Sequence, residues 1–419
     1  MTSEQCHQEF PIHSPWRSES RRAHRPLQSL KWRSHRYSRS TCLRIDFVYS
    51  AMPSSPYRSR GPLVRLLRLK TLADCLQQPQ DNFLLLRFIA ATAVIFGHSY
   101  ALSGIPGARD FIARANMGSG IYTGSLAVDI FFVISGFLVT SSYVHRAQLE
   151  IFLKSRALRV LPAYAACMAL TAYLLGAVYS DLPLWDYWTS PATGNYAIVN
   201  LQFGTDLLWN LPGVFVHNPY PAVVNGSIWT LPAEVRMYLW VAILGMLGVL
   251  RKRWLANCVF STLFAVGLFR PDQLPLVPHP DFVRLAAFFL AGAFCYVNRE
   301  WVPVNGWLLL VIFALALAVH RTATFPWALG ALVTYASFWF AYCPNFHFFN
   351  RLGDYSYGLY LWGFPIGQAV AHWFGVPTRP LLIFVLSLPL TLFCAMLSWH
   401  IVEKPALSLK NRTLVVEHK

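Results

Sequence analysis

Ten apolar runs of near-bilayer length constrain this 419-residue chain more than any other feature. They fall at about 84–104, 121–143, 157–178, 227–250, 256–270, 282–297, 306–320, 325–342, 352–374 and 380–401, the fifth to seventh being short. A hydrocarbon core about 30 Å thick takes about 20 apolar residues per helix, and a helix satisfies all of its own backbone polar groups in lipid. Charged residues make up only 13% of the chain, where an ordinary soluble domain has roughly a quarter. The expected fold is an all-α integral membrane protein with about ten transmembrane helices.

Charge placement orients those helices. There are 35 Lys and Arg against 19 Asp and Glu, a net charge of +16. An even number of spans puts both termini on one side. With the N-terminal tail inside, cytoplasmic segments collect 27 of the Lys and Arg and outer loops only five, while Arg87, Arg236 and Arg284 fall within the runs. Excess Lys and Arg mark the cytoplasmic side, so both termini are expected there, and the basic balance reads as orientation rather than nucleic-acid binding.

Residues 1–80 hold 14 of the basic residues, are rich in Ser, Arg and Pro, and lack the apolar stretch of a signal peptide. They read as a basic, disordered cytoplasmic tail. Met52, just ahead of a compact basic segment, offers an alternative start that would leave 1–51 dispensable. The transmembrane domain then spans 81–402, and 403–419 form a short cytoplasmic tail.

The eight cysteines are scattered without a CxxC pair, and no His sits at zinc-ligand spacing. Neither a metal nor a disulfide is expected. HExxH, GxSxG, Walker and GxGxxG patterns are absent.

Ionisable groups at membrane depth are costly and point to function. Arg87 lies just inside the first run, and His98 follows eleven residues later, about three turns and about 16 Å along one helix face. That stripe links the inner and outer halves of the membrane. Counted from the outer face, Asp129 in the second run and Glu234 in the fourth come out near the depth of His98. Two acids and an imidazole at one level would make a proton-transfer site. Arg156 and Arg159, three apart on one helix face, can hold a phosphate in bidentate fashion, or can serve as ordinary inner-face charge. Asp354, Tyr357 and Glu403 read as structural, and Ser135 as a packing residue. The longest outer connection, about 179–226, has many Trp and Tyr and no Lys or Arg. Those rings suit stacking on sugars as well as interface anchoring.

Six segments together resemble the acyltransferase 3 family of polytopic membrane O-acyltransferases, over about 83–408. Leu86-Arg87-Phe88 through Gly97-His98 is similar to its first helix, and Val128-Asp129 through Phe137-Leu138 to its second. Arg156-Ala157-Leu158-Arg159 resembles its RxxR segment. Asn225-Gly226-Ser227-Ile228-Trp229-Thr230-Leu231 with Glu234 and Tyr238 resembles its Trp-Thr-Leu and Glu segment. Ser356 through Trp362, and Val402-Glu403-Lys404-Pro405-Ala406, match its closing segments. Many members carry a His after the Tyr-Leu-Trp stretch, where this chain has Gly363, so a catalytic role for that position is not expected here. The chain ends at Lys419, too soon for the esterase-like SGNH domain that some members append, and a stand-alone form is expected.

The resemblance implies transfer of an acyl group, acetyl by family default, from acyl-CoA to a hydroxyl of an exported glycan, with no bound cofactor. It implies a bacterial inner-membrane location, a carbohydrate acceptor and glycan-assembly proteins as partners. Carried residue by residue, it gives His98, Glu234 and Asp129 catalytic roles and Arg87, Arg156 and Arg159 donor binding. Asn225, Trp229 and Tyr238 would contact the acceptor. The competing class is a secondary transporter or an acyl-group or glycan translocator, which intramembrane charges and Pro-interrupted helices would also suit. The His-bearing and Glu-bearing runs have no counterpart in the second half, which speaks against the inverted repeat of many transporters.

Overall fold

A computed structural model describes residues 70–115 and 120–416. Most of the basic tail, including the alternative start at Met52, lies outside the described residues, as do 417–419. The described residues form helices and connecting loops, with two isolated β-bridges and no extended strand.

Each of the ten apolar runs contains a long helix: α1 Phe83–Leu102, α2 Thr123–Arg146, α3 Leu149–Leu170, α4 Leu231–Met246, α5 Arg253–Phe269, α6 Pro280–Val297, α7 Gly306–Ala318, α8 Phe325–Tyr342, α9 Ser356–Phe374 and α10 Pro380–Ser398. A further helix, α11, spans Lys404–Val416. Among the described residues five stretches are long and apolar enough to cross a membrane: Phe83–Leu102, Thr123–Arg146, Leu149–Tyr179, Pro280–Val297 and Pro380–Lys410. The others are shorter or more polar. Proline opens several helices (Pro280, Pro380, and Pro232 and Pro326 one residue in), because its fixed φ suits the first turn and its missing N–H costs nothing there.

Three boundaries differ from the sequence expectation. Residues 71–80 are ordered rather than part of a tail. Thr71 caps the short helix Leu72–Leu76, Leu72 N–H donates to Val302 O at 2.9 Å, and Leu72 and Cys75 are fully buried. The third helix begins at Leu149 rather than 157, so Arg156 and Arg159 lie well inside it. At the C-terminus, a π-turn over Trp399–Glu403 carries α10 directly into α11, so residue 403 begins no tail and Glu403 is buried.

The fourth run differs most. It is not one helix from 227. Asn225–Ser227 is irregular, Ile228–Thr230 is a single 3₁₀ turn, both largely buried, and regular α-helix begins only at Leu231. Irregular backbone at membrane depth is tolerated when protein surrounds it, and here its polar groups are answered by α9. Pro365 has no N–H, which leaves the Leu361 carbonyl without its helical partner. Asn225 Nδ2 donates to that carbonyl at 3.0 Å. Tyr360 OH donates to Ser227 O at 2.7 Å and meets Thr230 Oγ1 at 2.5 Å.

The tightest crossing joins α2 and α6. A Cβ on Gly136 would land on the Phe289 carbonyl, and one on Gly292 on the Val133 carbonyl. The backbones touch because both positions lack side chains, as small residues allow in helix packing within lipid. Gly136→Ala and Gly292→Ala are each expected to cost about 1–3 kcal/mol by overpacking. The double variant should lose less than the sum, since both force apart the same interface. Unfolding of the detergent-solubilised protein measures both; additive losses would show that the two glycines act at separate contacts.

Candidate active site

The loops at 77–82, 146–148, 298–305 and 343–355 gather at one end of the bundle, called here the basic end. Asn82 Nδ2 bonds Phe340 O and Pro344 O there, and Asn350 Nδ2 bonds Asp81 O. At the opposite end, Thr378 N–H donates to Ser103 O, and Gln368 ties to Asn218 and Val223.

Between α1, α2, α3, α4 and α9 lies a cavity of about 120 Å³. Its polar lining includes Arg87, Ser135, Arg156, Arg159, Glu234, Tyr238 and Tyr357. One carboxylate oxygen organises much of it. Asp354 Oδ2 is 3.0 Å from Arg87 Nη2 and 2.7 Å from Arg159 Nη2, while Asp354 Oδ1 accepts from Ser356 Oγ at 2.6 Å. Arg159 reaches a second carboxylate through Nη1, 3.4 Å from Glu403 Oε2, and Ser398 Oγ donates to the other Glu403 oxygen. Across the cavity, Glu234 Oε1 accepts from Tyr238 OH and, at 3.5 Å, from Ser135 Oγ. Arg156 lies over the Tyr238 ring at 5.9 Å, but its Nε is buried without a hydrogen-bond partner.

The three arginines and Glu234 therefore share one chamber, and His98 is not in it. His98 lies half-buried on α1, eleven residues beyond Arg87, its ring edge-on to Phe364 at 5.1 Å. Its Nδ1 is buried with no hydrogen-bond partner. Asp129 faces elsewhere. It sits 3.5 Å from Arg284 Nε and lines a separate, mostly apolar cleft of about 710 Å³ between α2, α5, α6 and α8.

The expected cluster of His98, Asp129 and Glu234 is thus divided among three places. The cause is the irregular segment at 225–230: Glu234 falls in the first turn of α4 beside the arginines instead of level with His98. Asp129 was visible as a buried acid and Arg284 as a base within an apolar run, but only the packing of α2 on α6 pairs them.

Of the residues assigned to the acceptor, Tyr238 lines the arginine cavity. Asn225 spends its amide on Leu361 O and accepts from Ser227 N–H. Trp229 stacks on Phe282 at 6.4 Å. Asp354 and Glu403, read from sequence as structural, brace the arginines. Ser135 proves to be a cavity residue as well as a neighbour of the Gly136 crossing. Among the described residues no group of His, Cys, Asp and Glu is placed to hold a metal ion.

The family pattern described as an acyltransferase domain matches residues 81–400. The chain belongs to the acyltransferase 3 family. Its activity class is that of a membrane acyltransferase. An O-acetyl transferase of Shigella phage Sf6 is 28% identical over 345 residues, 79% of this chain and 97% of that protein. Nodulation protein 10 of Rhizobium leguminosarum bv. viciae is 25% identical over 381 residues, 79% of this chain and 94% of its own. The O-acetyltransferase OatA of Staphylococcus aureus is 22% identical over 365 residues, 73% of this chain and 58% of that longer protein. No solved structure matches. Where many members of the acyltransferase 3 family carry a ninth-helix His, Gly363 packs against Ile95 of α1, leaving no room for a side chain unless Ile95 moves.

Burial alone would raise the Asp354 carboxyl, but Arg159 and Arg87, helped by Ser356, more than offset it and hold it down at about 2. A depressed carboxyl stabilises the fold fully above its unfolded value, and that contribution is lost as pH falls towards about 2. Asp354→Asn leaves two guanidiniums without their shared anion and is expected to cost roughly 3–5 kcal/mol. Its unfolding midpoint in detergent should also fall less between pH 5 and about pH 3 than that of the wild type. Equal acid sensitivity of the two proteins would show that the clamp does not contribute to acid stability.

Proposed function

We propose that this acyltransferase moves an acyl group, acetyl in the simplest case, from cytoplasmic acyl-CoA to a hydroxyl of an exported carbohydrate at a bacterial inner membrane. The reading takes the basic end as cytoplasmic, with ten spans and both termini inside, as the distribution of Lys and Arg favours. One observation carries it: an arginine cavity opens on the same helix that bears His98, about 16 Å further along. Arginine suits the phosphates of the donor. His98 retains an imidazole nitrogen uncommitted to any protein partner.

In the proposed step His98 takes the proton of the acceptor hydroxyl as that oxygen attacks the thioester carbonyl. A C–O bond forms, the C–S bond breaks, and the proton passes to the departing thiolate. No carboxylate bonds to His98 among the described residues, so the imidazole works without the orienting acid of a classical triad. Glu234, held by Tyr238 and Ser135, acts in the arginine chamber instead. Asp129 is a partner for Arg284. Glycan-assembly proteins would supply the acceptor.

The test is an ester assay by proton NMR and mass spectrometry on surface glycans from a deletion strain complemented with wild-type or His98→Ala protein of equal abundance. Wild type should restore an O-acyl signal, and His98→Ala should lower it by about 10²–10⁴-fold, as expected for loss of a general base. Full restoration by His98→Ala would remove His98 from the chemistry. Restored solute or glycan flux without any ester would overturn acyl transfer in favour of a translocator.

A further inference from the structure

The two arginines of the RxxR segment are not equivalent in their surroundings. Arg159 is spoken for, with Asp354 on one side and Glu403 on the other. Arg87 shares Asp354. Arg156 has no ion pair among the described residues, and its Nε is buried and unpartnered. The carboxylate that faces it, Glu234, accepts from Tyr238 and Ser135 through Oε1, and no ion pair joins it to Arg156 among the described residues.

Two further cations lie near Arg156. Arg146 is the last residue of α2, half-buried, with Nη1 sequestered and unpartnered. Lys410 is carried by α11, which packs along α3, and it lies within electrostatic range of both Arg146 and Arg156. Neither Arg146 nor Lys410 makes an ion pair among the described residues. Three like charges drawn together, two with buried N–H groups unsatisfied, are costly unless an anion joins them. Phosphate oxygens match that need, because each can accept charge-assisted bonds from guanidinium and ammonium groups.

We propose that Arg146, Arg156 and Lys410 form a phosphate-binding site at the basic end of the cavity, built from the ends of α2 and α10–α11 around α3, while Arg159 serves as a structural strut. The inference rests on the acyl-CoA reading for the source of the phosphate, which is the diphosphate of the donor. The same chemistry is present in an anionic lipid headgroup, and the two sources are separable.

The experiment is calorimetric titration of the full chain in phosphatidylcholine nanodiscs with CoA, inorganic pyrophosphate and phosphate-free pantetheine. Arg146→Gln/Lys410→Gln is expected to weaken CoA and pyrophosphate binding at least about tenfold and to leave pantetheine unchanged. The charge-keeping pair Arg146→Lys/Lys410→Arg should stay within about threefold of wild type, which separates loss of charge from loss of fold. Equal CoA and pyrophosphate affinities for wild type and the Gln pair would overturn the site. Pyrophosphate binding that depends on the two residues, with no CoA binding by wild type, would uphold the site and overturn the acyl-CoA reading. Phosphatidylglycerol added to the nanodiscs should not displace CoA; displacement that the Gln pair abolishes would give the site to a lipid headgroup.

Discussion

Asp354 is the hinge pin of this molecule. A single carboxylate in the loop ahead of α9 neutralises one arginine from α1 and another from α3, and the second of these extends to Glu403 where α10 turns into α11. Partly buried charges are held best when paired and hydrogen-bonded, and the network meets both conditions, its acids bonded to Ser356 and Ser398. Four chain segments distant in sequence are tied by two acids. The cavity between them keeps its polar lining because those ties hold the helices at fixed separation.

This arrangement divides the polar groups of the membrane region into compartments. The arginine chamber holds Glu234 and Tyr238, His98 lies edge-on to Phe364, and Asp129 with Arg284 borders an apolar cleft. Helix α1 joins two of these compartments, carrying Arg87 to the chamber and His98 to the Phe364 ring.

Much of this was legible in the sequence. Apolar length located all ten long helices, and helical periodicity placed Arg87 and His98 on one stripe. The depth of Glu234 was not legible, because Ile228 and Trp229 are as apolar in a 3₁₀ turn within the protein as in an α-helix, and a straight count from 227 misplaces whatever follows. The pairing of Asp129 with Arg284 depends on two glycines that let α2 and α6 touch, which is a property of packing rather than of either helix. Residues 71–80 looked like tail because ten residues with two buried apolar side chains, Leu72 and Cys75, give no periodic signal.

The irregular segment also shows how an absence in one helix becomes a contact in another. The Leu361 carbonyl, which Pro365 one turn on leaves without a helical N–H, receives the Asn225 amide instead. An ordinary residue at 365 would offer that carbonyl a helical partner and set it in competition with the Asn225 side chain, while loss of Asn225 would leave the carbonyl without a strong donor. Positions 225 and 365, which never need to touch, are therefore linked through one carbonyl of α9, the missing N–H of the one leaving an acceptor for the amide of the other.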